Sequence, residues 1–137
     1  MEFLMTKTLA APLLLAGAML AAPGSQAAPP AHVEQVMSRP LADLTGKEGL
    51  VLTVKYPPGG ADAIHRHNAH AFVYVLEGAI VMQVKGGPAV TLEPGQGFYE
   101  APDDIHVVGR NASQTEPAKF VVFLLKDQGV PAVMPVR

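Results

Sequence analysis

The chain has 137 residues, no cysteine and a formal net charge of −2. Without cysteine it has neither a disulfide framework nor a thiolate metal site, so stability must come from a core, a bound metal or a partner subunit. The small, unclustered charge offers no nucleic-acid footprint.

The N-terminus reads as an export signal. Lys7 precedes the apolar run Leu9–Ala22, and Pro23-Gly24-Ser25-Gln26-Ala27 follows. That is the order of a positive region, a short apolar region and small residues at a cleavage site. Cleavage is expected after Ala27, with Met5 as an alternative start. The run is too short and too rich in Ala, Gly and Pro to span a bilayer well. Residues 1–27 are therefore expected to send the chain to the periplasm or out of the cell, without stable membrane insertion. About 110 residues then remain, enough for one domain with a modest core. Low charge and apolar strands suit a homodimer.

Residues 28–49 read as a lead-in. Ala28–Ala31 is Pro-rich, His32–Pro40 is expected to hold a short strand around Val36-Met37, His32 reads as an isolated surface histidine, and Leu44–Gly49 is a polar turn. Residues 50–125 carry the barrel. Leu50–Tyr56 alternates and is rich in β-branched residues, which predicts a strand. Pro57-Pro58-Gly59-Gly60 ends it. Phe72–Leu76 predicts a second strand, with Phe72, Tyr74 and Val75 in the core. Glu77-Gly78-Ala79 predicts a tight turn, with Ile80–Lys85 returning as the hairpin partner. Ala89–Leu92, Phe98–Ala101 and Ile105–Val108 are shorter strands, Asn111–Pro117 is a polar loop, and Lys119–Leu125 is the last clear strand. Residues 126–137 read as a tail. Short strands at nearly even spacing, bounded by Gly, Pro or Asp, predict an all-β sandwich or barrel.

The histidines carry the chemistry. Four of the five lie in two turn-rich stretches: His65, His67 and His70 in the first, His106 in the second. Residues two apart on a strand share a face. His65-Arg66-His67 thus aims two imidazoles together and sends Arg66 the other way. Two neutral nitrogen donors at fixed separation on a rigid element suit a metal. His106, beginning another apolar strand after a turn, is the third candidate. Glu100 reads as a solvated strand-face charge, with a proton-transfer or supporting role as the alternative. Asp103-Asp104 reads as turn chemistry.

These residues resemble the small single-domain cupins, exported in this case. The family's first motif runs Gly, five residues, His-x-His, three or four residues, Glu, six residues, Gly. Gly59, His65-Arg66-His67 and Gly78 occupy it, and Phe72–Gly78 (FVYVLEG) is typical of the family. The second motif is met imperfectly by Gly97, Pro102, His106 and Asn111. The resemblance implies a double-stranded β-barrel of two facing sheets, jelly-roll-like, with a metal on His65, His67 and His106. It also implies that Asn111 braces a loop.

The family's glutamate slot falls on Ala71, or on Phe72 with the longer spacing, and neither binds metal. His70 is the candidate fourth ligand if a bulge at Asn68-Ala69 turns it inward against strict alternation. An all-imidazole site leaves the full dipositive charge on the metal, making it a stronger Lewis acid that attracts anions. One divalent transition metal is expected, with iron, zinc, nickel, copper and manganese all compatible. The function expected is a metal-binding cupin acting as an oxygenase, isomerase or lyase on a small organic acid or phenol. The alternative is a cupin that binds a metal or small ligand without turnover.

Overall fold

The computed structural model describes residue 24 and residues 26–136. The expected signal peptide falls almost wholly outside the described residues. All regular structure among them is β. The strands are β1 (His32–Pro40), β2 (Lys47–Tyr56), β3 (His65–Arg66), β4 (His70–Glu77), β5 (Ile80–Val84), β6 (Val90–Leu92), β7 (Gly97–Glu100), β8 (His106–Asn111), β9 (Ala118–Asp127) and β10 (Met134–Pro135). Among the described residues no helix is long and apolar enough to cross a membrane.

Two five-stranded sheets face each other. The first has the order β1-β2-β9-β4-β7 and the second β10-β3-β8-β5-β6. All observed pairings are antiparallel. This is the expected barrel of two sheets, and most strands fall where alternation places them.

The core follows the period of two. Leu50, Leu52, Val54 and Tyr56 of β2 point inward, as do Ala71, Val73 and Val75 of β4 and Phe120, Val122 and Leu124 of β9. Ile80 and Met82 meet them from the second sheet. Burying a side chain of this size stabilises the fold by about 1.5–3 kcal/mol. Phe72 and Tyr74, expected in the core, are 49% and 52% exposed. They alternate with Val73 and Val75 and lie on the outer face of the first sheet.

Long-range pairing extends one further expectation, corrects a second and fills in a third. The lead-in strand is the nine-residue β1, because β2 pairs with it from His32 to Pro40 across a register shift between Gln35 and Met37. β4 and β5 do not form a hairpin: β4 pairs with β7 and β9, and β5 with β6 and β8. Gly78 carries the chain from one sheet to the other at a φ of 69°, where an added Cβ would lie 2.6 Å from the Pro117 carbonyl oxygen. Only glycine fits that crossing. The tail, whose packing the sequence leaves open, is anchored: β10 pairs with β3 and so reaches the histidine stretch.

Candidate metal centre

β3 and β8 pair through His65 and His106, which are register partners. Directly opposed residues project to the same face, so both imidazoles enter the barrel side by side. His67 lies just past β3 and joins them. His65 Nε2 is 3.3 Å from His67 Nε2 and 3.3 Å from His106 Nδ1. The rings meet edge-on, with centroids 4.8 Å apart in both pairs. The three nitrogens form a group able to hold a metal ion.

Neighbouring groups set the orientation of each ring. His65 Nδ1 donates to the Ala63 carbonyl at 2.8 Å, and His67 Nδ1 donates to the Ala132 carbonyl at 2.6 Å. A carbonyl only accepts, so both rings carry their proton on Nδ1 and present a lone pair from Nε2. Burial lowers the pKa of His67, with the Ala132 carbonyl pulling the other way. Burial and then the nearby His65 push His106 down to about 4. Both rings are thus held neutral, the form that ligates a metal.

Gly109 makes room for the third ring. A Cβ there would lie 2.7 Å from His106 Cε1 and 3.0 Å from the Tyr56 hydroxyl. Tyr56 is fully buried and donates its hydroxyl proton to Asp62 Oδ2. Burial, then the charge of Asp62, holds the Tyr56 phenol well above its ordinary pKa. The Asp62 backbone N–H donates to the Gly109 carbonyl at 2.8 Å, which fixes this carboxylate beside the centre.

Sequence reasoning placed Glu100 in solvent, yet it is 2% exposed. β7 is an inner-facing edge of the first sheet, and Glu100 extends from it toward the imidazoles of the second. Its Oε2 is 3.6 Å from His67 Nε2, and its Oε1 is 3.7 Å from His106 Nδ1. Burial, then the charges of Asp104 and Asp62, pushes its pKa up to about 7. Its register partner on β4 is Ala71, the residue in the family's glutamate slot. The expected all-imidazole surroundings are therefore not what the fold builds, since a carboxylate enters from the next strand.

His70 is not brought to this cluster. Asn68 does take a left-handed turn, at φ 49°. That turn restores alternation instead of reversing it: Ala69 and Ala71 are buried, and His70 is exposed. His70 Nδ1 meets the Tyr99 hydroxyl at 2.7 Å on the outer face of the sheet. Asn111 does brace a loop, donating from Nδ2 to the Pro57 and Glu116 carbonyls. Asp104 serves the turn, accepting from the Ala101 N–H.

The cluster sits at the polar end of a cavity of about 280 Å³. Leu52, Val54, Val73, Met82, Phe120 and Val122 supply its apolar wall, and Asp62 and Glu100 its carboxylates. Val33, Ile64 and Val133 also line it and are more than half exposed, which marks the mouth. Val133 and Pro135 come from the tail.

A metal fits this site. Donors about 2.0–2.1 Å from a common ion lie ~3.0–3.4 Å apart in octahedral or tetrahedral geometry, and the observed 3.3 Å spacings agree. Among the described residues, Glu100 Oε2 is also buried with no hydrogen-bond partner, as is His106 Nε2. Buried polar atoms are normally satisfied, and an ion between the imidazoles would satisfy the carboxylate.

A family model described as "Cupin domain" matches residues 52–124. No curated protein sequence matches the chain. Among solved structures, similarity is found to an uncharacterized conserved protein with a double-stranded β-helix domain from Klebsiella pneumoniae subsp. pneumoniae MGH 78578. Identity is 20%, the TM-score is 0.60, and the match covers 77% of this chain and 85% of that one. DMSP lyase DddQ from Ruegeria pomeroyi DSS-3 is 22% identical with a TM-score of 0.55, over 61% of this chain and 41% of the lyase. A recombinant oxalate oxidase in complex with glycolate is 20% identical with a TM-score of 0.59, over 76% and 54% of the two chains. This chain thus spans less than half of the lyase and about half of the oxidase. At these identities the likeness is one of fold.

Proposed function

The chain belongs to the cupin family, and on that premise we propose that it is an exported, metal-dependent enzyme acting on a small organic acid or phenol. The observation that carries this reading is the set of three imidazole nitrogens, with His65 Nε2 3.3 Å from each of the other two, on the wall of a largely apolar cavity. His65, His67 and His106 would hold one divalent transition metal. When bound, the ion supplies Lewis-acid charge and open positions for substrate oxygens, which suits oxygenation, isomerisation or lyase chemistry.

The cavity narrows the substrate class. At about 280 Å³ it lies at the small end of ligand sites. One end is polar and the rest is aliphatic and aromatic, which suits a ligand with an oxygen-bearing head and an apolar body. The head would face the imidazoles, and Phe120, Val122 and Met82 would hold the body and exclude water. Asp62, oriented by the Tyr56 hydroxyl, is placed on the cavity wall to accept a proton from the bound head. The similar folds named as a DMSP lyase and as an oxalate oxidase holding glycolate support small-molecule chemistry in such a barrel. Export rests on Lys7, the apolar run after it and Ser25-Gln26-Ala27.

The test is a screen of metal-loaded protein against carboxylates and phenols with and without apolar bodies, following oxygen uptake and product formation. Turnover confined to compounds with an apolar body is expected. Saturable binding of such compounds with no turnover, under any of the candidate metals, would overturn the enzyme reading in favour of a binding protein.

A further inference from the structure

We propose that Glu100, reaching in from β7, is the anionic fourth ligand of this centre. The inference rests on reading His65, His67 and His106 as metal ligands, and it goes beyond that reading by adding a ligand from the opposite sheet.

Among the described residues, Glu100 is a buried carboxylate with no lysine or arginine to meet it. Its ion-pair contacts among the described residues are His67 and His106, at 3.6 and 3.7 Å. Both distances are too long for hydrogen bonds. The buried Lys126 is engaged by Glu48 and by the Asp127 carbonyl, and Arg110 donates to the Asn111 carbonyl. Among the described residues, Glu100 Oε2 is left without a hydrogen-bond partner. A buried, unpaired carboxylate is strongly disfavoured unless a cation sits beside it or it takes up a proton. Oxygens 3.6–3.7 Å from two imidazole nitrogens lie a few tenths of an ångström beyond the spacing of donors around one shared ion, so a small inward movement of the carboxylate would complete the set.

The sheet explains how the carboxylate comes to be there. Ala71 and Glu100 are register partners on β4 and β7, so their side chains emerge side by side on the inner face. Ala71 is fully buried and carries only a methyl group. The carboxylate that β4 does not provide can therefore come from β7 into the same space. Such a ligand lowers the net charge of a dipositive centre by one and weakens its pull on anions relative to an all-imidazole site.

Cobalt(II) is the probe, titrated into chelator-treated, metal-free protein by calorimetry and visible absorption. Wild type is expected to bind one equivalent, and His65→Ala to lose it. Glu100→Gln, nearly isosteric, is expected to bind ~100-fold or more weakly, with shifted d–d bands, where loss of an outer partner costs roughly 10–100-fold. The double variant Ala71→Glu/Glu100→Ala moves the carboxylate across the strand pair and is expected to recover most of the affinity. If Glu100→Gln binds like wild type with an unchanged spectrum while His65→Ala does not bind, Glu100 is not a ligand and the three-histidine reading stands. If wild type binds no cobalt(II), both readings fall.

Discussion

His67 Nδ1 donates to the carbonyl of Ala132, 65 residues later in the chain, at 2.6 Å. That bond leaves the His67 Nε2 lone pair facing His65 and Glu100, so a tail residue sets the orientation of a central imidazole. β10 then pairs Met134 with Arg66 and Pro135 with His65, holding the tail against the same stretch. Removing residues 131–137 should lower metal affinity by roughly 10–100-fold, the usual cost of losing an outer partner of a ligating histidine. Calorimetric titration checks this, and unchanged affinity would mean that the tail only covers the cavity.

Gly109 gives a second prediction. An added Cβ would press on the His106 ring and on the Tyr56 hydroxyl together, both of them buried. Gly109→Ala should cost about 1–3 kcal/mol, as overpacking does, and should weaken metal binding by displacing the ring. Thermal unfolding and metal titration of the same sample report the two effects.

The elevated pKa of Glu100 gives a prediction with a definite sign for metal-free protein. A carboxyl raised from 4.5 to about 7 in the fold is stable when protonated. Its stabilisation is fully present below about pH 4.5 and is lost as pH rises through about 7. The displacement corresponds to at most ~3 kcal/mol. Chelated Glu100→Gln should therefore unfold at a higher temperature than chelated wild type at pH 8, with the gap closing near pH 4.5. His106, lowered to about 4, and His67, also lowered, destabilise both proteins as pH falls below about 6.5, so the comparison is read at pH 8, where both rings are neutral. Metal loading should reverse the order at pH 8.

Asp62 separates turnover from metal holding. It accepts from Tyr56 and lines the cavity, but it is outside the three-nitrogen cluster. Asp62→Asn should retain the metal and lose ~10²-fold or more in turnover of the substrate found by screening, as removal of a proton-transfer group does. Equal turnover would remove Asp62 from the chemistry.

The fold was largely legible because its strands alternate and its turns carry Gly, Pro and Asp. His65 and His67 were legible by the same alternation, and His106 by its place after a turn. His70 was uncertain only because a bulge could have rotated it. The turn at Asn68 exists, yet Ala69, Ala71, Val73 and Val75 hold the inward phase and His70 follows the outward one. Glu100 was misread because its burial depends on which sheet covers β7. A local signal was present: Phe98 and Glu100 are two apart, and Phe98 packs on the core, so the glutamate had to share its face. Asp62 and Ala132 left no local signal, since their roles arise from contacts with Tyr56, Gly109 and His67 that only the folded chain creates.

The metal content of purified, metal-replete protein tests the central claim most directly, compared across wild type, His65→Ala, His106→Ala and His70→Ala. The predicted result is about one divalent ion per chain in wild type and in His70→Ala, and little in the other two. Equally low metal in wild type, His65→Ala and His106→Ala would contradict the account.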